Sequence, residues 1–132
     1  MAQNDGIKKL KMALVFSVIV DVFYGFAFFV TPGILQAMAG GNPVEFGWIR
    51  WSGGVLIALA IGGVQTSRSP HKQASAITIL TIAPLLTALA LLYTLLFETH
   101  TVHAWFILAP CVILFALFVV MARARRAAKD IL

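Results

Sequence analysis

One cysteine, Cys111, stands in this chain of 132 residues. A lone thiol closes no intrachain disulfide and makes no CxxC redox pair, so a disulfide framework is excluded. No HExxH pattern, nucleophile–base set or cofactor motif is present, so the sequence leans away from an enzyme and implies no cofactor. Low-complexity tracts and a repeat between the two halves are missing too. The apolar–polar alternation of a transmembrane barrel is absent, which leaves helices as the way to satisfy backbone groups in lipid. Finally, residues 31–45 and 98–103 contain no lysine or arginine.

Apolar sequence is what the chain has in excess. Hydrophobic residues make up 61% of it and mean hydropathy is +0.94, against about 45–50% apolar residues in soluble domains. Four runs, residues 12–30, 46–66, 76–97 and 104–122, approach or exceed the roughly 20 residues that cross a hydrocarbon core about 30 Å thick. They use up nearly the whole chain and leave no room for a soluble domain. The expected fold is an all-α membrane protein: one four-transmembrane-helix domain over residues 1–132, an up-down-up-down bundle. Short polar segments at 67–73 and 98–103 favour tight hairpins, making the second and third helices antiparallel neighbours. Thr31-Pro32-Gly33 ends the first helix, and Ile34, Leu35, Ala37 and Met38 fit a short helix along the interface. The first ten residues are polar and are expected to fray. Trp48, Trp51 and Trp105 fall where interfacial aromatic belts lie.

The net charge of +5 could point to nucleic acid, but its placement argues otherwise. Lys8, Lys9 and Lys11 precede the first run, Arg68 and Lys72 follow the second, and Arg123, Arg125, Arg126 and Lys129 follow the fourth. With four crossings, every basic residue but Arg50 falls on one side, and positive charge marks the cytoplasmic side. The reading is a multi-pass protein of the bacterial cytoplasmic (inner) membrane with both termini cytoplasmic. Membrane lipid is the partner implied, and the basic tail can meet anionic headgroups. Ala37-Met38-Ala39 has the A-x-A form of a signal-peptide cleavage site, but the run before it is too long and contains Asp21.

Asp21 is the residue most out of place. A charge at the bilayer centre costs about 2.5–3.5 kcal/mol on insertion scales. Ser17, Asp21 and Gly25 share one helix face at four-residue spacing, with Tyr24 beside them. Asp21, Arg50, Tyr24 and Ser17 are therefore the candidates for a ligand or proton site. The alternative is a structural carboxylate hydrogen-bonded to a neighbouring helix. In the second run, Arg50, Gly54, Ala58 and Gly62 form a small-residue row that, with Gly53 and Gly63, reads as a packing seam set against the Ser17/Asp21/Gly25 face. Aligning Val30 with Phe46 puts Arg50 level with Phe26 and Asp21 roughly 7–8 Å deeper, so an inward-pointing Arg50 could nearly reach Asp21 and pair with it, whereas an Arg50 that snorkels outward to the headgroups does not.

At the outer face, Glu98, His100, His103 and Glu45 could ligate a transition metal, although solvated loop residues have the same composition. His71 reads as a surface residue. Pro84 and Pro110 lie inside the third and fourth runs, where they kink a helix or are ordinary transmembrane prolines. Thr78, Thr81, Thr87 and Thr94 offer hydroxyls for bonds between helices.

Two stretches resemble the DoxX-like family of small bacterial four-helix membrane proteins. One runs from Phe23-Tyr24-Gly25 to Thr31-Pro32-Gly33, the other from Arg50-Trp51-Ser52-Gly53-Gly54 to Gly62-Gly63. The resemblance covers the first half, implies a four-helix fold, and carries no catalytic residues over. In layout the chain is also similar to small multidrug-resistance transporters, which have a carboxylate in their first helix, but here that residue is Asp21 and not a glutamate. Three functions follow. The first is a membrane protein acting through helix packing, as an accessory subunit, a homo-oligomer or part of a larger membrane complex. The second is a small transporter or ligand-binding bundle using Asp21. The third is a membrane enzyme acting on a lipid or quinone-like substrate at the outer face.

Overall fold

A computed structural model describes residues 2–41, 46–99 and 101–129. The described residues form α1 (Ala2–Val30), α2 (Pro32–Ala39), α3 (Phe46–Arg68), α4 (Ala74–Phe97) and α5 (Ala104–Ala127), with a 3₁₀ turn at Pro70–Lys72. None of them is in a strand. Asp5–Val30, α3, α4 and α5 are each long and apolar enough to cross a membrane. Large apolar side chains stand on the outward side of these helices as well as the inward one, so no apolar stripe separates core from surroundings. Phe23, Trp48 and Phe97 are 68%, 75% and 73% exposed, an outward apolar surface suited to lipid and not to water.

Both ends of the bundle reach further than the hydropathy runs indicate. Residues 2–10 are not frayed: α1 is helical from Ala2, and α5 continues to Ala127. Leu10, Ala13 and Leu14 of α1 join Leu117, Met121 and Ala124 of α5 and Ile77 and Leu80 of α4 in the main buried cluster. A β-carbon on Gly6 would collide with the carbonyl oxygen of Ala127. The two polar ends are thus ordered by bracing each other. Their charges also suit the helix dipole, with Asp5 in the first turn of α1 and Arg125 and Arg126 in the last turn of α5.

Packing is unequal around the bundle. α1 lies most closely on α3 and also touches α5, and α4 lies on α5. α3 and α4, joined by the short 69–73 segment, touch far less than a tight hairpin implies. Near that segment the buried Thr66 hydroxyl donates to Gln73 Oε1 at 2.9 Å. A second, smaller cluster joins Ala88 of α4 to Cys111 and Leu114 of α5, and the Cys111 thiol donates to the Ala88 carbonyl at 3.4 Å.

Three of the four α4 threonines bond within their own helix and not across to another. Thr78, Thr81 and Thr87 donate to the carbonyls of Ala74, Ile77 and Ala83, each four residues back on the same helix. Back-bonding of this kind satisfies a hydroxyl locally in a span without water. Pro84 and Pro110 lie within α4 and α5 without ending either helix.

The short helix expected after the first span is α2. Pro32 opens it, where a missing N–H costs nothing. Gly40 closes it in the left-handed region at φ 71°, its N–H donating to Gln36 O. His103, just before α5, donates its backbone N–H to Ala39 O at 2.8 Å, which ties the two connections at this end together.

Candidate functional site

The inward face of α1 is set by Leu10, Ala13, Leu14, Ser17, Asp21 and Gly25, all buried. Their spacing of three and four residues is that of one helix face. Ser17 is 2% exposed and Asp21 5%. The Ser17 hydroxyl donates to Asp21 Oδ2 at 3.4 Å, along the helix from one turn below. That distance is at the long limit for a hydroxyl donor, so the carboxyl group is weakly held. Tyr24 is half-buried and packs edge-on against Phe23 and Phe28 of its own helix, with ring centroids 5.5 and 5.9 Å away.

Register against α3 follows from the glycines. A β-carbon on Gly53 would lie 2.7 Å from the Phe29 backbone nitrogen and 2.8 Å from the Gly25 carbonyl oxygen. One on Gly25 would lie 2.9 Å from Ile57 Cγ1, and one on Gly63 would lie 2.6 Å from Val18 Cγ2. Interpolating between these contacts sets the buried Ala60 level with Asp21. The helix backbones therefore meet directly at Gly25 and Gly53, at a separation only glycine permits.

This register overturns the Asp21–Arg50 pair. Arg50 lies roughly ten residues along α3 from the level of Asp21, or about 15 Å at the helical rise. Its side chain is exposed, with the guanidinium carbon 6.0 Å from the centre of the Phe46 ring. The cause is α2, which lets α3 start beyond the end of α1, so Val30 is not level with Phe46. Gly33 lies against the Phe46 ring, at 3.5 Å from where its β-carbon would be.

Of the expected seam, Gly53 and Gly63 meet α1, whereas Gly54, Ala58 and Gly62 do not. A β-carbon on Gly54 or Gly62 would meet nothing within 4 Å, and Ala58 is exposed. The inward face of α3 is Gly53, Ala60, Gly63 and Thr66. The Gly53-Gly54 and Gly62-Gly63 doublets offered two faces about 100° apart, and composition does not choose between them. Thr66 carried the missing signal: a polar residue three positions after Gly63 marks the face that holds a satisfied hydroxyl.

At the far end, two of the four metal candidates, Glu98 and His103, lie among the described residues. Glu98 caps α4 and is exposed. The His103 imidazole lies against Gly40, where a β-carbon would collide with Nε2. Glu45 and His100 lie outside the described residues. Among the described residues, no group of three or more histidine, cysteine or acidic side chains could hold a metal ion.

The site is therefore one buried carboxyl group with a hydroxyl partner, on a helix locked to α3 by glycine. Chemically it can accept a hydrogen bond or exchange a proton. Comparison of this chain with protein-family models, curated proteins and solved structures gives no match.

Proposed function

We propose that this chain is a small integral membrane protein that acts through helix packing, as a homo-oligomer or as an accessory subunit of a membrane complex. The observation that carries the reading is the outward-facing row of Gly54, Ala58 and Gly62. Small residues at four-residue spacing on a transmembrane surface let a second helix approach closely, whereas bulky side chains there would hold it away. Inside the bundle the neighbouring row through Gly53 already serves α1, so the outer row is left for another chain. Placement in the bacterial cytoplasmic membrane, with both termini and the 67–73 segment inside, is supported by the basic residues at one set of ends. An up-down-up-down order is supported by contacts that pair the later part of α1 with the earlier part of α3, and the start of α1 with the end of α5. The DoxX-like resemblance of the first half implies the same four-helix type.

Gly54→Leu/Gly62→Leu is expected to leave the chain folded but monomeric, while the wild-type chain in mild detergent gives an oligomer by native mass spectrometry. A wild-type chain that is monomeric under the same conditions, and co-purifies with no membrane partner, defeats this reading.

A second reading is favoured by Asp21: a transporter or ligand-binding bundle in which this carboxyl group exchanges a proton or contacts the ligand. Intramembrane ionisable residues carry function more often than stability. In vesicles reconstituted with the purified chain, Asp21→Asn is expected to abolish proton flux driven by an imposed pH gradient. Equal flux in wild type, Asp21→Asn and protein-free vesicles removes it.

A further inference from the structure

Where α1 begins and α5 ends, the surfaces of the two helices part into a groove of about 420 Å³. Its two cations, Lys9 and Arg123, lie at the end of the bundle; Phe16 and Val120 lie deeper. The floor includes Ala13 and Ala124, which are buried at 3% and 7% exposure and too small to fill the space between the helices. Phe16 and Val120 stand outward as half-exposed apolar walls. From Lys9 to Phe16 is two helical turns, on the order of 10 Å. The groove is thus cationic towards the end of the bundle and apolar towards its middle. Among the described residues no acidic side chain lines it; Asp5 lines the neighbouring concavity on α1 alone.

Phospholipids have the same polarity gradient, with a phosphate at the headgroup and hydrocarbon beneath. A neutral lipid would leave the two cations without net charge compensation, and a free anion would leave the apolar walls unused. We propose that this groove seats one anionic phospholipid of the surrounding leaflet, with its phosphate between Lys9 and Arg123 and an acyl chain along Phe16 and Val120. The assignment rests on the membrane reading above and agrees with the positive-inside placement, since anionic lipids are concentrated in the cytoplasmic leaflet.

The test uses the purified full chain in non-ionic detergent with palmitoyl-oleoyl phosphatidylglycerol or the phosphatidylcholine of the same chains. Native mass spectrometry is expected to retain one phosphatidylglycerol per chain in preference to phosphatidylcholine. Lys9→Gln/Arg123→Gln should weaken that retention by roughly 30-fold, at about fivefold for each basic side chain near an anionic headgroup. Arg126→Gln/Lys129→Gln removes the same charge from the same end without touching the groove, and should weaken retention clearly less, because attraction to a headgroup falls off within a Debye length. Equal retention of the two lipids, or equal loss in the two double variants, overturns the site. Protein mass in the same spectra reports the oligomer, so this proposal and the helix-packing reading fail separately.

Discussion

Gly53→Ala is expected to destabilise the bundle by about 1–3 kcal/mol, and Gly54→Ala, one residue on, by less than about 0.5 kcal/mol. The contrast comes from what each new methyl meets. At Gly53 the obstacles are the Phe29 nitrogen and the Gly25 carbonyl, both backbone. No rotamer change clears backbone, so α1 and α3 must move apart over the whole contact. At Gly54 the space is open to 4 Å, and added volume there faces outward. Reversible unfolding of the two variants in mixed micelles checks the pair. Equal losses at both positions mean that α1 and α3 do not cross at Gly53, and the register built on that crossing falls with it.

Asp21→Leu is expected to improve membrane insertion of the first span by about 3–4 kcal/mol, the difference between an aspartate and a leucine at mid-helix on insertion scales. That corresponds to more than about a hundredfold in the inserted fraction at equilibrium. Glycosylation mapping of the isolated span in a host protein measures it. A negligible gain would mean that position 21 lies near an interface and not at depth. In the folded chain, Asp21→Asn keeps the size of the side chain and its acceptor for Ser17 but removes the ionisable group. It is expected to melt no lower than the wild type, because one hydroxyl at 3.4 Å is its hydrogen bond in the fold. Together the two results would describe a residue whose presence costs insertion and adds no stability, which is how a working group is recognised. A marked drop in melting temperature for Asp21→Asn would instead assign the carboxylate to the framework.

The hydropathy of the sequence carried the four spans because length and apolar content are summed over about 20 residues, and local errors cancel. The inward face of α1 was legible for a different reason. Asp21 and Ser17 are polar, lipid excludes them, and they mark the protected side. α3 has no comparable mark at its crossing with α1. Its glycine doublets fit two faces, and Thr66, the polar residue that separates them, lies at the other end of the helix, so the rows through Gly53 and through Gly54 were equally fit to face α1. The Asp21–Arg50 pair failed through register: α2 displaces the start of α3 relative to the end of α1, and nothing in the composition of 31–45 reports that offset. The ordering of residues 2–10 was hidden because their lysines resemble a solvated tail. Leu10, completely buried on the same face as Ala13 and Leu14, was the sign that the helix starts earlier.

The contact of Gly6 with Ala127 has a consequence for biosynthesis. Of the five helices, α1 leaves the ribosome first and α5 last, yet their side chains share the main core with α4. Leu10 and Leu14 therefore wait, unpacked in the bilayer, until α4 and α5 have been inserted. During that interval α1 can be held by α3 alone through Gly25 and Gly53, so the first three helices are a half-built assembly with an open flank. Closure is a late event that depends on the whole chain, and a nascent chain stalled before α5 presents that flank to chaperones and membrane proteases.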